Sequence, residues 1–276
     1  MIPGIVDSAV AATRAFTDEF SGTGSLAQRW TSTRGSWSVL SNKAYTATAA
    51  SSYPLATFNA NTTSVTVRAD FGTAGTHGWG VGFWVRDADN WWAVVTDRTS
   101  AYVCGAGDTL IGTNCKKPDT VTQGSGLTCV YSCPEGTILS GTECYTTSNV
   151  HLGSANATCS TYYYDIVTAG ETYAATLQYT YRIRLIKSVA GTVTEVDVKN
   201  IETNTNSTST IGYVQASVSK AGVITATAQM NGGATVQTLS NTPSSPLTGK
   251  RHGFILAPIT TGTASTGVDR FVYSPV

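Results

Sequence analysis

All six cysteines of this 276-residue chain fall between Cys104 and Cys159. A thiol cluster of this kind either closes disulfides in an oxidising compartment or holds a soft metal such as zinc. Spacing separates the two. Residues 104–115 and 133–144 both read C-x-x-G-x-x-L-x-G-T-x-C, with Gly107/Gly136, Leu110/Leu139 and Gly112/Gly141 in matching places. Two copies of one looped hairpin, each closed by its own cysteine pair, account for the repeat and leave Cys129 and Cys159. Six cysteines admit fifteen pairings, and the repeat raises Cys104–Cys115, Cys133–Cys144 and Cys129–Cys159 above the rest. The competing reading is zinc at Cys129-x-x-x-Cys133 with His151 nearby. Structural zinc sites favour two close cysteine pairs, and the chain has no second one.

Other residues that could do chemistry are sparser. Asp87, Asp89 and Asn90 could place oxygens around calcium, but the same residues make an ordinary turn, and the turn is preferred. His77, His151 and His252 are scattered without metal-ligand spacing. Gly22-Thr-Gly24-Ser-Leu-Ala27 imitates a dinucleotide loop without the strand-to-helix unit that makes one useful. No G-x-S-x-G elbow occurs. No catalytic residue, metal ligand or cofactor is therefore assigned. For ligand contact the candidates are Tyr131 and Tyr145 in the cysteine stretch and Tyr162, Tyr163 and Tyr164 just beyond it. Their rigid amphipathic rings can stack on sugars or pack on protein. The alternative is that they only cover the base of that stretch.

The elements that must position these residues are strands. Charged residues make up 12% of the chain, against about 25% typically, and net charge is zero. Nothing supplies the basic surface that nucleic acid requires, and no apolar run reaches the ~20 residues needed to cross a bilayer. The centre of the pattern is 78–97. Trp79, Val81, Phe83 and Val85 alternate with Gly80, Gly82, Trp84 and Arg86, which predicts a half-buried strand. A turn at 87–90 then returns the chain through 91–96. Glycines opposite the apolar face leave room for another backbone, a bulge or a ligand. Four of the six tryptophans lie in this hairpin.

Further strands are expected at 53–58, 64–71, 162–167, 173–187, 193–201, 211–219, 223–230 and 234–239, with turns at Ser41-Asn42 and Ala190-Gly191. Short strands at steady spacing predict an all-β antiparallel sandwich. Residues 104–160 then form a cysteine-rich insertion between a first part at 18–103 and a second at 161–276. Residues 1–17 read as an N-terminal arm.

Asp18-x-Phe20, a Gly-Ser-Leu turn, Trp30 and then Gly35-x-Trp37-x-Val39 open the sandwich, and Val268-Asp-x-Phe-x-Tyr273 closes it. This pattern resembles the concanavalin A-like (LamG/glucanase-type) jelly rolls, especially those of bacteriophage tail and other virion proteins. The opening Met-Ile-Pro-Gly-Ile-Val is similar to the start of many virion proteins. Glucanases of that fold carry Glu-x-Asp-x-(x)-Glu, whose carboxylates cleave glycosides. Here Glu195-x-Asp197 lacks the third carboxylate, and the two residues are expected to line a solvent face opposite Val196 and Val198.

The resemblance implies a non-enzymatic virion component, a minor tail or fibre-associated protein present in multiple copies. It would attach to other virion proteins through the arm and adhere to a host-surface glycan or protein. The alternatives are a carbohydrate-active enzyme or binding module, and a capsid decoration protein. The first residues lack a basic n-region and Asp7 breaks their apolar run, so no secretory signal is read. A particle assembled in cytosol and released by lysis reconciles this with disulfides.

Overall fold

The computed structural model describes residues 14–71, 78–205, 209–233, 236–245, 248–259 and 267–276. His77 and residues 1–13 of the expected arm lie outside them. The fold is all-β with antiparallel sheets, and the chain divides into two compact units. One comprises Met1–Ala101 and Leu177–Val276, the other Tyr102–Thr176. The second unit is therefore wider than the expected 104–160.

The first unit is sandwich-like. Its six-stranded sheet runs in the order Phe16–Asp18, Arg270–Pro275, Val65–Asp70, Ile211–Val218, Ile224–Met230, Val236–Asn241. Its seven-stranded sheet runs Thr192–Asn204, Thr176–Val189, Trp91–Val103, Trp79–Val85, Arg251–Leu256, Leu55–Asn59, Thr31–Arg34. The inner faces share one core. Val65, Val67 and Ala69 alternate inward from one sheet, and Trp79, Val81, Phe83 and Phe254 come from the other. Each of the larger buried side chains contributes on the order of 1.5–3 kcal/mol. Phe16 and Thr17, assigned to the arm by sequence, instead pair with Tyr273 and Val272, and the Phe16 ring packs 4.9 Å from that of Phe58.

The residues that carried the family resemblance have a physical role. Asp18 accepts hydrogen bonds from the Phe20 amide at 3.1 Å and the Trp30 indole at 2.8 Å. Trp30 then lies against Phe254 and Phe271. At the other end of the chain, Asp269 pairs with Lys43 at 2.6 Å.

The central hairpin forms, with Gly80 opposite Val95 and Phe83 opposite Trp92. It is not half-buried, however: every residue of Trp79–Val85 is buried. Trp84 has φ +50°, and the pairing with Arg251–Leu256 slips beside it, as a β-bulge does. The bulge places Trp84 with Phe83 in the main core and sends Val85 to the opposite face. There it joins Leu55, Trp91, Ala93, Val95, Ile186 and Ile255 in a second cluster. The space beside the glycines is filled by the protein. A Cβ on Gly80 would fall 1.9 Å from the Val94 carbonyl oxygen, and one on Gly82 would meet Leu55 Cδ1 at 2.8 Å.

Candidate functional site

Three disulfides order the second unit: Cys104–Cys115, Cys129–Cys159 and Cys133–Cys144, the set favoured by the repeat. With Cys129 and Cys133 in separate bridges, the zinc reading falls.

Each repeat copy supplies the hairpin of a small three-stranded sheet. In the first, Thr109–Ile111 and Asn114–Lys116 form a hairpin, and Thr172–Ala174 lies along it as third strand. In the second, Ile138–Ser140 and Glu143–Tyr145 form the hairpin, and His151–Ser154 is the third strand. The local geometry repeats. Gly112 and Gly141 both have φ +62° in the hairpin turn, a conformation that favours glycine. The Cα–Cα distance is 5.6 Å in both bridges, and Cys115 and Cys144 are buried.

Between the two modules runs a two-stranded ribbon, Thr120–Ser132 against Asn156–Thr168, paired over thirteen residues and about 43 Å long. It continues the ladder of the first module: Lys116 faces Thr172, and beyond the interruption at Pro118 Thr120 faces Thr168 in the same register. Ion pairs Lys117–Glu171 and Lys116–Asp119, both 2.8 Å, flank the break. Cys129 and Cys159 are directly opposed near the far end. The second module is thus threaded into the connection between the second and third strands of the first.

Expected strand 162–167 belongs to this ribbon and not to the sandwich. The five candidate tyrosines do not converge. Tyr162 and Tyr164 share one ribbon face, with ring centroids 5.9 Å apart. They lie over Gly126 and Gly124, where a Cβ would collide with the rings at 2.6 and 2.7 Å. Tyr163 and Tyr131 occupy the opposite face. Tyr145 sits in the second module, its ring 5.2 Å from that of His151.

Sequence reasoning missed the neighbours of Tyr145. Glu143 Oε2 lies 2.9 Å from His151 Nε2, and Glu143 Oε1 accepts from Ser154 Oγ at 3.0 Å. The His151 bond first, and the Ser154 bond second, hold the Glu143 carboxyl below its usual range. The cluster offers an ionised acceptor, a hydroxyl and two ring faces, a combination suited to sugar hydroxyls and C–H faces. The signal was in the repeat: Glu143 and Tyr145 stand where the first module has Asn114 and Lys116.

In the sandwich, the expectation that Glu195 and Asp197 share a face is overturned. Glu195 lies opposite Ile186 and Asp197 opposite Leu185, with a register shift between them. Ile186 and Leu185 belong to clusters on opposite faces of the sheet, so the two carboxylates point apart. Glu195 pairs with Arg184 at 2.5 Å. At the other proposed oxygen cluster, Asp87 Oδ1 accepts from the Asp89 amide and from Asn90 Nδ2, which is turn chemistry. Among the described residues no group of three His, Cys, Asp or Glu side chains is placed to hold a metal ion.

Compared with known proteins, the chain matches no family model, no curated protein and no solved structure.

Proposed function

We propose that this chain is a non-enzymatic virion component of minor-tail or fibre type, in which a jelly-roll sandwich carries a disulfide-stapled adhesive unit. The observation that carries the adhesive reading is the second module. Its Glu143, Tyr145, His151 and Ser154 form a polar-aromatic cluster on a stapled hairpin, while the matching first-module positions of the two repeat residues hold Asn114 and Lys116. Recognition of a host-surface glycan needs only such an acceptor beside a ring face. Acid–base glycoside cleavage needs two carboxylates, and the cluster presents one. The virion assignment is supported by the opening and closing motifs of the sandwich, and attachment through the residues that precede Phe16 is part of the same proposal.

The test is binding of purified protein to host cells and to glycan arrays, with Tyr145→Ala and Glu143→Gln as variants. Each should weaken binding about tenfold, the loss expected for one good contact, with the disulfides intact by peptide mapping. Unchanged binding by both variants would remove the second module as the adhesive site. Peptides of the chain should also be found in purified particles, and their absence would defeat the virion assignment independently of any glycan result.

A further inference from the structure

The ribbon is poorly matched to life as a single copy. A lone two-stranded hairpin is marginal in water, and stable sheets cover at least one face. Among the described residues Thr120–Ser132 and Asn156–Thr168 pair only with each other, and most side chains on both faces are exposed. One face carries Val121, Leu127, Tyr163 and Val167, each more than 60% exposed. The other carries Val130, Ile166, Tyr162 and Tyr164. Across the two strands the single charged residue is Asp165, and there is no Lys, Arg or Pro. Exposed edges of soluble proteins normally carry such residues to discourage strand pairing.

We propose that the ribbon is an interface between copies of this chain, with ribbons of neighbouring copies packed against one another. Three features favour a second copy over a different occupant. The exposed apolar side chains offer roughly 300–450 Å² on each face and roughly 600–900 Å² over both, so the ~800 Å² each partner gives in a stable interface is reached when copies cover both faces. Being almost uncharged, two ribbons approach without repulsion, whereas a charged partner would find a single carboxylate to recognise. A copy also presents Thr, Ser, Val and Tyr at the same strand spacing, with unpaired backbone groups along edges of equal length. This assignment concerns assembly and does not depend on the glycan reading of the second module.

The experiment is light scattering on the full, oxidised chain across the micromolar range, beside hydrogen exchange of the ribbon amides. The wild-type mass should be a multiple of 28.9 kDa, and ribbon protection should rise with concentration. Leu127→Lys and Tyr163→Lys change side chains that already face solvent in the single copy, so the fold should persist by circular dichroism. Self-association should weaken about 100-fold, as for a central interface residue. Lys220→Gln, an exposed change on the sandwich, should leave the mass unaltered. A monomeric wild type would overturn the proposal, as would an oligomer indifferent to both ribbon variants. Loss of association with Lys220→Gln alone would place the interface on the sandwich and overturn it too.

Discussion

In the sandwich unit Trp79, Phe254 and Phe271 are sealed from solvent, whereas in the stapled unit Tyr162, Tyr163 and Tyr164 stand about half exposed or more. Both units are antiparallel β structure. The first derives its order from area removed from water, the second from covalent closure of short loops and one long ladder. Burial needs many residues to agree at once. A bridge needs only two. The stapled unit can therefore vary its surface, as the change from Asn114 to Glu143 between its modules shows, without disturbing what holds it together.

Reduction is the sharpest way to break that contrast. Three bridges at roughly 2–4 kcal/mol each order a unit with little core, so reductant should erase amide protection across 102–176 while Arg251–Leu256 stays protected. Equal loss in both units would mean the stapled unit is not held by its bridges. Phe254→Ala should do the converse. Its ring lies 4.7 Å from Trp30 and 4.9 Å from Trp37, so truncation should cost about 3–5 kcal/mol in the sandwich, read by denaturant titration, with the disulfide-bonded modules unaffected.

Acid should separate the units next. Burial lowers the His252 pKa to about 4, with the hydrogen bond to the Thr62 carbonyl opposing. The unfolded chain binds that proton near pH 6.5, so the stability His252 gives by staying neutral is complete above that value. It falls as pH drops toward 4, by about 3 kcal/mol in total. His252→Asn should flatten the slope of sandwich stability between pH 6.5 and 4, and an unchanged slope would assign it to other groups. The smallest effect is at Glu143, whose lowered pKa stabilises the second module above the unfolded carboxyl value of about 4.3 and is lost as pH falls through the folded value. Tyr145 ring resonances should report this titration in wild type but not in Glu143→Gln. An identical acid transition in both would disconnect it from the carboxylate.

Local chemistry made much of this legible. Turn residues announced Ser41-Asn42 and Ala190-Gly191, which adopt the positive φ that tight hairpins use. The repeat announced both modules because identical cysteine and glycine spacing permits few geometries. Pairing over distance left no such mark. The alternation at 162–167 looks the same whether the partner is a sandwich strand or Thr120–Ser132, and the third strands Thr172–Ala174 and His151–Ser154 carry no sequence likeness to one another. Bulges were equally hidden. One residue of slip at Trp84, and another beside Glu195, reassigns every later side chain to the other face, and nothing local requires either slip. The Glu143–His151–Ser154 cluster depends on a third strand that the repeat does not contain.

The nesting of one module within the other has a consequence for how such a chain can grow. In the first module the link from second to third strand holds the ribbon and the whole second module. In the second, the same link is a tight turn at Thr146–Val150, closed by the Thr146 amide donating to the Val150 carbonyl. An outgoing strand and its return stay in register across the break at Pro118, so whatever is spliced into such a link comes back to the place it departed from. A further copy of ribbon and hairpin entering at Thr146–Val150 would lengthen the stapled unit by one segment and leave the earlier strand pairings in place. The stapled unit carries, in effect, an insertion point at which whole segments can be added without re-pairing the strands before it.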